Sequence, residues 1–258
     1  MQACIAPLLK NGQIDAAREI LQWYLARPKY NEGDAFFLQR LVGINNQKGC
    51  YDYALHLRLK QRIAKDVLEG KSIPVETWKA SYPLLYQDMI EKAREQLKLD
   101  RTSLPLLLIL SFIRQESLFN PNAQSGANAI GLLQLMIDTA LDMAVKKLHF
   151  RLPAKKDIPA WIKTPYTSCL LGIRYLQDLL RYKPFPINSI AALAAGYNSG
   201  PKGRLYFDPK NGMDLDEQIE SIESPETKNY VKQVMENYWI YTLLYNAGAL
   251  EKFTFDLR

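Results

Sequence analysis

The strongest constraint in this chain is the run Leu104-Pro105-Leu106-Leu107-Leu108-Ile109-Leu110-Ser111-Phe112-Ile113, followed at once by Arg114-Gln115-Glu116. Apolar residues stand on nearly every side of such a helix, so it must be buried on most of them. It is too short for a membrane span, which needs ~18 to 20 uninterrupted apolar residues. Ser103 suits the N-cap and Pro105 the first turn. Asn120-Pro121 ends the helix, because proline disfavours helical geometry at the residue before it. An acid, Glu116, therefore stands in the last turn of a core helix. It shares a face with Phe112 and Ile113, and the helix dipole presents partial negative charge there. Both surroundings disfavour the carboxylate and predict a raised pKa. A carboxyl group kept protonated near neutrality can act as a general acid. A glutamate at a helix end that simply emerges into water is the plainer alternative.

The rest of the chain reads as helix. Periodicity predicts helices over about 84–97, 132–147, 167–182, 188–196 and 226–246, with a proline-rich loop at 149–165 and no credible run of alternating strands. The segments "NGQIDAAREIL" (11–21) and "KGCYDYALHLR" (48–58) align at an offset of 37, Gly12 with Gly49 and Asp15 with Asp52. This is the pattern of stacked helical hairpins. The expected fold class is all-α, with residues 1–80 forming an α-superhelical segment that ends a longer solenoid and residues 81–258 forming a second domain.

Bulk properties exclude several classes. The 258 residues carry a net charge of +6 and a pI near 9.0. The basic excess is spread evenly, unlike the clustered charge of a nucleic-acid binder. Cys4, Cys50 and Cys169 form no CxxC pair, and His56 and His149 lie far apart in sequence, so a zinc site is not expected. The start of the chain lacks the features of a signal peptide, so composition leaves open both a cytoplasmic protein and a mature chain or fragment of an exported one.

Four separated blocks then give a resemblance. They are "ESLFNP" (116–121), "GLLQLM" (131–136), "GYNSGP" (196–201) and "ESIESPETKNYV" (220–231). In this order and spacing they resemble the soluble, Slt-type lytic transglycosylases, marked by E-S-x-x-(N/D)-P, G-L-(M/L)-Q-(I/L)-M, A-Y-N-x-G-P and E-S-I…E-T-(R/K)-x-Y-V. The resemblance covers about residues 82–245. It implies a lysozyme-like α-domain behind an α-superhelical region, and cleavage of the β-1,4 bond between N-acetylmuramic acid and N-acetylglucosamine in peptidoglycan. Glu116 would act first as acid, then as base toward the muramic acid 6-hydroxyl, giving 1,6-anhydro ends. The resemblance also implies that the Tyr197 hydroxyl approaches Glu116. Ser125, Gln134, Met136, Asn198 and Glu220 would contribute to the sugar groove, Glu220 as a second acid. Residue types alone leave plainer roles open: turn shaping for Ser125 and Asn198, core packing for Met136. The partner would be glycan strands, with no nucleic acid, no integral membrane segment and no cofactor. The location would be the periplasm, with the export signal absent from this chain.

The chain departs from the family pattern at Asn128, where glycine is usual, at Gly196, where alanine is common, and at Ser168, where asparagine is frequent. Two other readings compete. A hydrolytic goose-type muramidase would need a second carboxylate, for which Asp138 and Asp142 are the nearest downstream acids. A non-catalytic helical scaffold that binds glycan would have no use for a neutral acid.

Overall fold

The computed structural model describes residues 7–25, 34–47, 52–99, 104–182, 189–208, 210 and 212–246. The chain divides into two compact units, Met1–Leu85 and Tyr86–Arg258.

In the first unit, α1 (Ile14–Leu25), α2 (Asp34–Gln47), α3 (Tyr53–Leu68) and α4 (Val75–Ser81) follow one another. Their core gathers Ala17 and Leu21 of α1, Leu38, Leu41, Val42 and Ile44 of α2, Leu55, Leu59 and Ile63 of α3, and Ala80 of α4. The apolar residues recur at helical spacing, which is what lets four short helices bury one shared stripe. Asp52 caps α3 by accepting from the Leu55 amide at 3.1 Å. Its repeat counterpart Asp15 sits inside the first turn of α1. The two acids therefore open their helices differently. Gly49, Cys4 and Cys50 lie outside the described residues.

The second unit holds α5 (Gln87–Gln96), α6 (Leu106–Ser117), a two-stranded antiparallel hairpin β1 (Ala129–Ile130) and β2 (Leu135–Met136), α7 (Ile137–Asp142), α8 (Ile158–Lys163), α9 (Pro165–Arg181), α10 (Ile190–Ser199), α11 (Leu215–Glu220) and α12 (Pro225–Tyr245). The all-α expectation holds, with these two strands as its small exception. The helix α6 lies in the core, with Leu108 to Arg114 all buried. It packs against α12, which in turn packs against α10. Pro105 stands just before the first helical residue and Ser103 lies outside the described residues. At the other end α6 stops at Ser117, because Leu118 (φ 47°) and Phe119 (φ 66°) turn left-handed. That conformation is costly for residues with a Cβ. Both side chains are buried, Phe119 completely, so core packing holds the bend in place.

Two expectations need correction. The helix expected over 132–147 begins only at Ile137, and its last residues, Met143–Lys147, form a π turn. Residues 131–134 form the hairpin turn instead and 135–136 its second strand, with Gly131 (φ 83°) and Gln134 (φ 42°) both left-handed. The leucines around them are buried against the core, which a helical pattern from sequence imitates. Within the expected loop 149–165, a 3₁₀ turn at Lys155–Asp157 leads into α8, which carries Pro159 in its first turn, where proline costs no hydrogen bond. The departure Asn128 keeps the backbone a glycine would supply, with φ at 66°.

The departure Gly196 also has a physical reason. A Cβ there would lie 2.7 Å from Cγ of Arg204. Arg204 is only 3% exposed, and its Nη1 donates to the carbonyl oxygens of Leu179, at 2.5 Å, and Tyr182, at 2.8 Å. The arginine thus closes the C-terminal end of α9, where carbonyls lack helical partners. Its fixed head leaves the stem little room to move. Gly196→Ala should therefore lower stability by ~1–3 kcal/mol, as overpacking of a filled site does. Thermal unfolding of the two proteins measures it.

Candidate active site

The helices α6 and α12 are tied at three successive residues of α6. The Nε of Arg114 donates to Oδ1 of Asn237 at 3.2 Å. The amide of Gln115 donates to Oε1 of Gln233 at 2.5 Å. The hydroxyl of Tyr230 donates to Oε1 of Glu116. Each partner lies earlier in α12 as the residue lies later in α6, as antiparallel helices require. The charged triplet that ends the apolar helix is thus the seam between two core helices.

Glu116 is half-buried as a residue, but its carboxyl is enclosed by protein. Burial pushes its pKa up to about 7, against the lowering effect of the Tyr230 hydrogen bond. This agrees with the environment read from Phe112 and Ile113, both fully buried. Since Tyr230 holds Oε1, Oε2 is the oxygen left to carry a proton.

Tyr197 is buried and lies close enough to Glu116 that the nearby negative charge helps to hold its phenol well above the usual range, after burial. Its ring stands 5.2 Å from that of Phe112 and 5.3 Å from that of Tyr175, centroid to centroid. The hydroxyl donates to the carbonyl of Leu133 at 2.6 Å. The direct hydrogen-bond partner of Glu116 is therefore Tyr230 rather than Tyr197. Tyr230 stands inside the fourth motif, and its place there was the available signal. Sequence reading gave it no role, because its partner is 114 residues away.

Leu133 is seated by a glycine. A Cβ on Gly172 of α9 would meet Leu133 side-chain atoms at 2.3 to 3.0 Å. The departure Ser168, one turn earlier, accepts at Oγ from the Leu133 amide at 3.3 Å. The turn carrying Leu133 is thus fixed against α9, and its carbonyl in turn fixes Tyr197.

The remaining candidates divide. Met136 is 47% exposed on β2, which excludes core packing. Gln134 turns its amide inward, donating to the carbonyls of Ala123 at 3.1 Å and Gly131 at 2.8 Å, so it shapes the turn. Ser125 accepts from the Ala129 amide at 3.0 Å, also within the turn. Asn198 accepts from the Thr227 hydroxyl at 2.7 Å, joining α10 to the start of α12. Glu220 is exposed at the end of α11. Lys232 reaches its Oε1 at 2.5 Å and Lys228 its Oε2 at 3.3 Å, and these two lysines hold its carboxyl below the usual range. It is therefore an ionised, paired acid, unlike Glu116. Among the described residues no group of His, Cys, Asp and Glu could hold a metal ion. Cys169 is free and buried.

A core α-helix that delivers one enclosed carboxyl to a tyrosine-lined junction defines an acid-bearing α-domain. Comparison with known proteins places it. Residues 94–213 match the family described as transglycosylase SLT domain. The chain is 31% identical over 166 residues to a putative soluble lytic murein transglycosylase of Haemophilus influenzae, covering 64% of this chain and 26% of that protein. It is 28% identical over 233 residues to the soluble lytic murein transglycosylase of Salmonella typhimurium, covering 88% of this chain and 33% of that one. The fold matches the 70 kDa soluble lytic transglycosylase of Escherichia coli with a TM-score of 0.65 at 22% identity, over 94% of this chain and 35% of that one. It also matches an inactive glutamate-to-glutamine variant of lytic transglycosylase Slt from Pseudomonas aeruginosa, with a TM-score of 0.63 at 23% identity, over 94% and 35%. Over residues 94–213 the chain is thus similar to transglycosylase SLT domains, and over a longer stretch to soluble lytic murein transglycosylases. It spans a quarter to a third of the length of these two curated relatives.

The raised pKa has a stability consequence. Between 4.5, the ordinary value, and about 7, folded Glu116 keeps a proton that the unfolded chain releases. The folded state then binds more protons, so this group's contribution to stability falls as pH rises through that window. Glu116→Gln removes the effect. The variant should gain on the parent by up to ~3 kcal/mol above pH 7, with the gap closing below pH 4.5. Denaturant unfolding at pH 4 and pH 8 measures it.

Proposed function

We propose that this chain cleaves peptidoglycan glycan strands without water, breaking the β-1,4 bond between N-acetylmuramic acid and N-acetylglucosamine. The observation that carries this reading is the enclosed Glu116 carboxyl, poised near neutrality on Tyr230. Oε2 of Glu116 gives its proton to the glycosidic oxygen as the bond to C1 of the muramic acid breaks. The positive charge that develops at C1 is captured by the same sugar's 6-hydroxyl, whose proton passes to the Glu116 carboxylate. A 1,6-anhydro ring closes and the acid is regenerated. Most glycosidases use two carboxylates, because one must activate water or attack the sugar. Here the substrate supplies its own nucleophile, so one acid suffices.

In this reading Tyr197 and Tyr230 are the polar groups beside the acid, and Met136 presents an exposed apolar surface to the glycan. Asn198, Ser125 and Gln134 set the turns that shape the groove, and Glu220 lies at its ionised margin. Residues 1–80 would continue an α-superhelical region, with residues 81–258 as the catalytic domain. Glycan as substrate places the enzyme in the periplasm, and no helix among the described residues is long and apolar enough to cross a membrane. The hydrolytic alternative lacks support from its two candidate acids. Asp142 is exposed and paired with Lys146 at 2.8 Å, and Asp138 is exposed in the first turn of α7.

Purified peptidoglycan incubated with the protein tests the reading. Soluble products lighter by one water than their hydrolytic counterparts are expected. They should fall at least ~10²-fold with Glu116→Gln, the usual scale for losing a general acid. Activity should decline as pH rises through about 7, where Glu116 loses its proton. Reducing-end products would establish hydrolysis instead, and glycan binding without products would establish the scaffold.

A further inference from the structure

Asn128 replaces the usual glycine without changing the backbone, so its side chain is an addition. Its Oδ1 accepts from the amide of Gln124 at 3.2 Å. The Oε1 of the same Gln124 accepts from Nζ of Lys163 at 3.0 Å. The two bonds use opposite ends of one amide, so they fix its orientation: Lys163 donates to Gln124, which donates to Asn128. This chain joins the end of α8 to the hairpin across 39 residues. The hairpin carries two of the groove candidates, Gln134 and Met136. Gln124 bridges Ile130 and directly precedes Ser125, and Asn128 directly precedes Ala129, the strand partner of exposed Met136.

Lys163 is half-buried, and its ammonium has three donors, of which Gln124 takes one. Among the described residues it has no carboxylate partner. Lys146 and Lys147 are paired with Asp142 and Asp178, and Lys228 and Lys232 share Glu220, whereas Lys155 and Lys156, the nearest lysines in sequence, are exposed and have no carboxylate partner among the described residues either. A cation held by a neutral amide, with two donors to spare, is arranged to meet an anion that the chain itself does not supply.

We propose that Lys163, positioned by Gln124 and Asn128, is a specificity-determining residue that binds a carboxylate on the glycan's muramic acid substituent. This rests on the proposed glycan substrate. The carboxylate has two sources: the lactyl group of a peptide-free muramic acid, or the stem peptide on a peptide-bearing one. Both offer the same acceptor to an ammonium.

The test uses the full chain and four substrates: peptide-bearing peptidoglycan, peptide-free glycan strands, and each of these with its carboxylates amidated. The wild type should prefer each relevant carboxylate form over its amidated form on the order of five-fold in kcat/KM, the scale of a partly exposed ion pair. Lys163→Met should erase that preference and Lys163→Arg should keep it. Asn128→Gly, which retains the left-handed backbone, should reduce it. A preference confined to peptide-free strands assigns the lactyl group, and one confined to peptide-bearing strands assigns the peptide. Lys163→Met with wild-type preference overturns the proposal, as does a wild type that shows none. Co-sedimentation of Glu116→Gln, with and without Lys163→Met, on the same four substrates separates this proposal from the reaction. If the wild type releases no product while binding still depends on Lys163 and on the carboxylate, the reaction fails and the Lys163 site stands. Binding that ignores both overturns the site.

Discussion

The hydrogen bond from Tyr230 to Glu116 is the interaction on which the proposed chemistry depends. It joins the end of α6 to the early part of α12, and it opposes the rise in pKa that burial imposes on the Glu116 carboxyl. Burial alone would drive the acid further toward its neutral form, and the tyrosine moderates this. The result is a group that holds a proton near neutrality and can release it, which neither a solvated glutamate nor a fully apolar pocket would give. The apolar run before Glu116 is the cause. Leu108 to Ile113 fill the core on the helix that carries the carboxyl.

Around this pair, the surrounding contacts hold geometry rather than add reactive groups. Gly172 and Ser168 seat Leu133 against α9, the Leu133 carbonyl holds the Tyr197 hydroxyl, and Thr227 ties Asn198 to the start of α12. Each link joins one sequence motif to another or to α9. The motifs are separated along the chain because the site is assembled from the ends of different helices, and a rigid constellation needs one anchoring residue from each.

Much of this was legible in the sequence for local reasons. Pro121 and the leucine run placed Glu116 in a last turn, and the observed end at Ser117 follows. The long helices Pro165–Arg181 and Pro225–Tyr245 lie within two residues of their expected bounds. Other features depend on contacts that periodicity does not carry. The segment Gly131 to Met136 looks helical because its leucines face the core, yet two left-handed residues fold it into a hairpin. The proline-rich stretch hides α8, since a proline in a first turn resembles a loop signal. Tyr230 carries no local signal of its role, because its hydrogen bond to Glu116 exists only when α12 reaches α6. Glu220 shared a motif with Tyr230 and was expected to serve the site. Its carboxylate stands at the surface, ionised and paired with Lys228 and Lys232, a pairing with residues 8 and 12 positions on that periodicity does not carry.

The central claim is that Glu116 holds its proton close to neutral pH. Carbon-13 NMR titration of the glutamate side-chain carboxyls, with Glu116→Gln used to assign the resonance, tests it directly. A midpoint near 7 is the predicted result. A midpoint at the ordinary 4.5 would mean that the carboxyl is solvated, and the acid at the end of the apolar helix would then be a surface glutamate.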